Sequence, residues 1–150
     1  MSLLNPPTEA PRKSRAMTFT VVALAMVAVV VLWVMFRYYP EKKAAERFFD
    51  ALVAGDTAKA YALWQPGPSY VMKDFLADWG PKGYYGPVKS YKIIRLNTPH
   101  GANVVAVEVS VSPYSPMPEV ADVEKNSKTR VVDVWILPSD KSFSFSPNTQ

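Results

Sequence analysis

The hydrophobic rhythm of the chain changes twice along its length. From Ala16 to Phe36 there are 21 consecutive residues without a charge, mostly valine, alanine, leucine and methionine, with only Thr18 and Thr20 polar. At ~1.5 Å per residue such a run covers ~30 Å, the hydrocarbon thickness of a bilayer. Valine is a weak helix former in water, but lipid offers backbone amides no partner, so the segment must satisfy them internally as a helix. We therefore expect a transmembrane helix over residues 17–38. Pro40 cannot donate to a helical ladder and biases Tyr39 away from helical angles, which ends that helix. The same proline suits the first position of the next one.

Past Pro40 the apolar positions are spaced for one-sided burial. Ala45, Phe48, Phe49 and Leu52 predict an amphipathic helix over 40–54, closed by Gly55. Asp56 is placed to cap a short second helix that buries Ala60, Tyr61 and Trp64 and stops at Gln65-Pro66-Gly67-Pro68. Met72, Phe75, Leu76 and Trp79 mark a third, starting near Ser69 and ended by Gly80-Pro81. After Gly83-Tyr84-Tyr85-Gly86-Pro87 the period falls to two, predicting strands over 88–97, 103–112 and 129–137 and a last short one containing Phe143 and Phe145. In the second strand Val105, Val107, Val109 and Val111 share one face, with Ala106, Glu108 and Ser110 on the other. The expected class is α+β: one transmembrane helix followed by three helices packed on a curved antiparallel sheet of about four strands.

The ends of the apolar run suggest how it sits. Trp33, Tyr38 and Tyr39 fall where an aromatic belt belongs, with Arg37 beside them to reach headgroups and Arg15 at the opposite end. The exit reads Met35-Phe36-Arg37-Tyr38-Tyr39-Pro40, without a small-residue cleavage site, so an uncleaved anchor is expected. Arg12, Lys13 and Arg15 form a bare basic cluster, whereas Lys42, Lys43 and Arg47 are interleaved with Glu41 and Glu46 on a folded helix. This pattern places a Pro-rich, basic tail (1–16) in the cytoplasm and an extracytoplasmic domain (40–150) on the periplasmic side of the inner cell membrane. The tail, with Asn5-Pro6-Pro7 and Ala10-Pro11, lacks apolar periodicity and is expected to be disordered on its own.

Charge then removes one class of partner. The net charge of +4 divides into +3 for residues 1–39 and +1 for residues 40–150, where 13 basic side chains meet 12 acidic ones. The basic excess belongs to the anchor, and the domain has no footprint for nucleic acid. Cysteine is absent, which excludes thiol catalysis, disulfides and cysteine-ligated metals. The 14 aromatic residues after position 40 are enough to fill a modest core without such staples.

The stretch Ala44-Ala45-Glu46-Arg47-Phe48-Phe49-Asp50-Ala51-Leu52-Val53-Ala54-Gly55-Asp56-Thr57-Ala58-Lys59-Ala60-Tyr61, followed by a curved-sheet pattern, resembles the nuclear transport factor 2-like cone fold over roughly residues 40–146. The resemblance implies a sheet wrapped around the long helix, leaving a conical cavity. Some members, such as ketosteroid isomerases and scytalone dehydratases, do acid–base chemistry there, and many others are binding or assembly modules. The match is one of element order and a helix-Gly-Asp-helix junction, not of catalytic residues. It departs from the family at Lys141-Ser142-Phe143, where a glycine-tryptophan pair often stands.

Candidate chemistry is sparse. His100, the one histidine, lies in a Pro-His-Gly turn and reads as a solvated loop residue. Glu108 and Asp133 interrupt strands and are the candidate pocket carboxylates. On a concave face they would form a coupled pair with one raised pKa, and on the outer face they would meet Lys92 or Arg130 across strands. No G-x-S-x-G, phosphate-binding or dinucleotide fingerprint is present, so no catalytic residue, cofactor or metal ligand is assigned. Two loops, 80–87 and 113–128, carry candidate partner contacts in Tyr84, Tyr85, Tyr114 and Met117, since aromatic and methionine side chains on proline-stiffened loops lose little entropy on docking. Ala23, Ala25 and Ala28 allow a second helix to approach closely. The sequence therefore reads as a non-catalytic accessory or assembly subunit, with lipid and other membrane-complex subunits as partners. Single-helix subunits of this sort recur in respiratory and photosynthetic complexes. The alternative is a membrane-tethered cone that binds a small ligand or acts as an isomerase or dehydratase.

Overall fold

The computed structural model describes residues 15–117 and 121–147 and divides the chain into two compact units that meet after Arg37. The first unit contains helix α1, Arg15–Phe36. Each of its large apolar side chains is at least 50 % exposed, as expected of a surface whose solvent is lipid. By length and composition α1 can cross a membrane. Arg37 folds back so that its guanidinium lies 5.0 Å from the Trp33 ring centre. The tail expected over 1–16 lies, up to residue 14, outside the described residues.

The second unit is α+β. Its helices are α2 (Tyr39–Val53), α3 (Thr57–Trp64), α4 (Met72–Trp79) and α5 (Asp122–Lys128), and its strands are β1 (Ser90–Asn97), β2 (Val105–Ser112), β3 (Arg130–Ile136) and β4 (Phe143–Phe145). The strands form one open antiparallel sheet in the order β1-β2-β3-β4. Helix α2 has Pro40 in its first turn, and Gly55 just beyond it takes φ +76°, a left-handed conformation that glycine adopts without strain. Asp56 caps α3 by accepting from the Lys59 amide at 3.0 Å. Helix α4 begins at Met72, later than the expected Ser69, because the Tyr70 amide closes a turn onto the Gly67 carbonyl and Asp74 accepts from the Val71 amide at 3.3 Å. Helix α5 lies within the connection expected to be a plain loop. It buries none of its residues, so no apolar periodicity announced it.

Between the helices and the sheet lies a cluster of rings. Phe48 sits at its centre, with Phe49, Trp64, Trp79 and Phe143 centred 5.1–5.3 Å away and Phe75 at 6.3 Å. These residues are 0–7 % exposed, as are Val105, Val107, Val109, Val132, Val134 and Ile136 on the facing sheet. Each buried ring contributes roughly 1.5–3 kcal/mol through area removed from water. Trp79 carries the one buried side-chain polar atom, among the described residues, without a hydrogen-bond partner.

An ion pair joins residues 100 positions apart. Glu41, 5 % exposed in the first turn of α2, accepts from Lys141 Nζ at 2.8 Å. Lys141 also donates to the Pro138 carbonyl, and its φ of +61° turns the β3–β4 hairpin. Tyr38 packs against the domain core with its hydroxyl 3.2 Å from Thr98 Oγ1. Tyr39 is 49 % exposed, and the Lys43 ammonium lies 5.8 Å from its ring centre.

Candidate functional site

The expected carboxylates come together on the wrong face for a cavity. Glu108 and Asp133 are direct cross-strand partners, but they lie on the sheet face opposite the ring cluster, in step with Ala106 and Trp135. The cation opposite Glu108 is neither Lys92 nor Arg130. Between Ile93 and Arg95 the β1–β2 register slips by one residue, so Arg95 faces Glu108 with Nη2 3.0 Å from Oε2, while Lys92 is left opposite Ser110. A bulge re-aims every side chain beyond it, and a strictly alternating reading could not place this one. Asp133 is exposed.

A different constellation forms where α4, the 80–87 loop and the start of β3 converge. The loop is tied to the end of α4 through backbone amides: Tyr84 donates to the Ala77 carbonyl at 2.9 Å and Tyr85 to that of Asp78 at 2.8 Å. Gly86 makes this wrap possible, since a Cβ there would run into the carbonyl oxygen of Gly80. Tyr85 is consequently laid flat in a stack, 4.9 Å from Trp79 and 5.9 Å from Phe145. Burial holds its hydroxyl above the ordinary tyrosine pKa. Tyr84 stays 61 % exposed and packs edge-on against Tyr85, with the Arg130 guanidinium 4.3 Å from its ring centre.

These groups line a surface cleft of about 730 Å³, walled by Asp78, Arg130, Val131 and Phe145 and by Ser146-Pro147. A second cleft of about 400 Å³ adjoins it across Tyr84, Tyr85 and Arg130 and adds Lys82, Pro113 and Lys128. Neither family models, nor curated proteins, nor solved structures match this chain. Its site must be read from its own side chains. Asp78 is occupied, accepting from the Tyr70 hydroxyl at 2.6 Å, and Tyr70 is raised in pKa by burial first and by that carboxylate second. Arg130, Lys82 and Lys128 have no carboxylate partner among the described residues. A guanidinium stacked on one face by a tyrosine keeps its planar donors for a carboxylate or another anion.

A third cleft, about 650 Å³ between α2 and the β3–β4 hairpin, is lined by Lys43, Arg47 and Lys141, two of which are paired. Lys43 is bonded to Glu46 at 2.6 Å and Lys141 to Glu41 at 2.8 Å. No group of three or more His, Asp or Glu side chains among the described residues could hold a metal ion.

The four expected partner contacts separate into two kinds. Tyr84 and Tyr85 lie in the charged cleft. Tyr114 is an internal tie of the 113–128 segment, donating to Glu124 at 2.9 Å and offering its carbonyl to Ser90 Oγ at 2.7 Å, while Met117 stands 93 % exposed on the same segment. Arg130, expected on the outer face as a partner for Glu108 or Asp133, lies on the other side of β3. Its signal was its parity with Val132, Val134 and Ile136, which puts it on the helix-facing side of β3.

Proposed function

We propose that this chain is a non-catalytic, single-pass accessory or assembly subunit of a larger membrane protein complex, with α1 packed laterally in the bilayer and the domain meeting partners on the periplasmic side of the inner membrane. The observation that carries this reading is the filled interior. A nuclear transport factor 2-like cone that does acid–base chemistry keeps a hollow with a carboxylate inside, and here the corresponding space is occupied by Phe48, Phe49, Trp64, Phe75, Trp79 and Phe143, with Glu108 and Asp133 on the far face. What remains accessible is a rim of aromatic and cationic side chains suited to another protein's surface.

Mild detergent extraction followed by native electrophoresis and mass spectrometry tests this reading. The chain is expected to migrate well above its own 16.7 kDa together with defined companions, and migration at the mass of a single chain overturns it. Protease treatment of intact spheroplasts tests the orientation, with cleavage of the domain expected and full protection reversing the assignment. The second reading, a tethered binder of a small ligand, is favoured by the 730 Å³ cleft and its free guanidinium. A stoichiometric small anion released on denaturing the purified protein would establish it.

A further inference from the structure

Among the described residues, the hydrogen-bonding edge of β3 is longer than the strand that covers it. Strand β4 pairs only Phe143 to Phe145 with Ile136 to Val134, and one further bond runs from the Ser146 amide to the Asp133 carbonyl at 3.3 Å. That bond identifies which backbone groups point away from β2. In an antiparallel ladder the amide and carbonyl of one residue face the same way and alternate residues face the same neighbour. Asp133 faces β4, as do Trp135 and Leu137, hence Val131 faces that side too. Pro147, which has no amide to give, follows Ser146, and Val131 has no hydrogen bond on that side among the described residues. Its side chain is 54 % exposed.

An uncovered strand edge is a template for another strand. Here it borders the 730 Å³ cleft, which contains Arg130, next in sequence to Val131, and the adjoining cleft adds Lys128 and Lys82. We propose that the Val131 edge of β3 receives an extended, acidic segment of a partner protein as an added short strand, its carboxylates meeting Arg130, Lys128 and Lys82 and its alternate side chains resting on Tyr84 and Phe145. This rests on the partner-docking reading above and names the surface and the partner's chemistry. Backbone pairing supplies the attachment, and the three unpaired cations select acid over base.

The full chain is reconstituted in nanodiscs, and a fluorescein-labelled, end-blocked peptide alternating glutamate and valine is titrated by anisotropy against its lysine–valine counterpart. Saturable binding of the acidic peptide is expected, with about tenfold or greater loss for the lysine peptide, for Arg130→Gln and for Val131→Pro. Val131→Pro deletes an amide that β2 does not use. Should that variant fold poorly, the acidic peptide with N-methylated backbone amides makes the same test on the unaltered chain, and equal binding of the methylated and plain peptides overturns the proposal. Equal binding of the acidic and basic peptides also overturns it. So does displacement of the acidic peptide by phosphatidylglycerol vesicles, which would give the cations to headgroups. A dimer dissolved by Val131→Pro, or peptide binding that emerges only when the chain is shortened to end at Pro147, likewise overturns it by giving the edge to a second copy or to the chain's own last residues. On native gels of membrane extracts, a complex that survives both substitutions sinks the proposal and leaves the subunit reading intact. A chain that runs alone yet binds the acidic peptide does the reverse.

Discussion

Valine dominates both α1 and β2, and the two use it in opposite ways. Val29 in α1 is 65 % exposed, and Val107 in β2 is 0 % exposed. The difference lies in the neighbours. In α1 valine is surrounded on all sides by other apolar residues, leaving no polar face to turn to water, and by length and composition such a helix can cross a membrane. In β2 valine alternates with Ala106, Glu108, Ser110 and Ser112, which puts every valine on the side that meets the rings of α2 and α4. One chain thus contains two independent solutions to apolar burial. Damage to one is expected to spare the other.

The largest expected effect is on the domain. Phe48→Ala empties the centre of the ring cluster and removes contacts with Phe49, Trp64, Phe75, Trp79 and Phe143 at once. A loss of about 3–5 kcal/mol is expected, read as a lowered domain melting temperature by near-ultraviolet circular dichroism in detergent. Retention in the membrane pellet after carbonate washing should be unchanged, and a loss of anchoring would break the claim of independence.

The converse variant is Val30→Arg, at the middle of α1. A charge there costs about 3 kcal/mol of insertion and should shift chain from the membrane to the soluble or degraded fraction. The melting temperature of whatever protein is recovered should match the parent. A depressed melt would mean that α1 supports the domain's fold.

How much of this was legible beforehand follows the same division. The helix α1 and the valine face of β2 could be read because each is a local pattern, a run in one case and an alternation in the other. The Gly55-Asp56 junction was legible for a related reason, since a left-handed residue and a side-chain cap each act within a few positions. Long-range pairing was not legible. Glu41 and Lys141 are 100 positions apart, and nothing near either one announces the other. The bulge at Ile93/Arg95 changed Glu108's partner without leaving a glycine or proline to mark it. The charged cleft needed Tyr84, Arg130 and Phe145 from three separate elements. Its tyrosines were visible as loop aromatics, while Arg130 was read on the opposite face, as a partner for Glu108 or Asp133, although its parity is that of Val132, Val134 and Ile136.

The Glu41–Lys141 pair sharpens the comparison at the domain's own margin. Lys141→Ala leaves a carboxylate 5 % exposed without its cation, which is costly in a way that a surface pair is not. Because the Lys141 side chain is itself 34 % exposed, the expected loss is about 1–3 kcal/mol rather than that of a fully buried pair. Glu41→Gln combined with Lys141→Ala should recover part of it by removing the stranded charge. A double variant no better than the single would show that the hairpin's turn geometry, not the charge, was the source of the loss.

The smallest effect is a change in pH dependence. Tyr91 stacks on Phe49 with ring centres 5.2 Å apart and donates to Asp50 at 2.7 Å. Burial first, and that hydrogen bond second, raise its pKa above the ordinary value of 10.0. A raised folded-state value means that folding favours the protonated form, so this stabilisation is complete below pH 10 and is lost as pH climbs beyond it. Tyr91→Phe is expected to cost about 0.5–1.5 kcal/mol at neutral pH, the worth of one hydrogen bond, and to flatten the alkaline limb of domain stability. No titrating group lies within the uncharged run of α1, so membrane retention measured across the same range should stay level for both proteins. Parallel alkaline limbs for parent and variant would mean that Tyr91 does not carry the effect and would shift attention to Tyr70, which is raised in the same direction by burial and by Asp78.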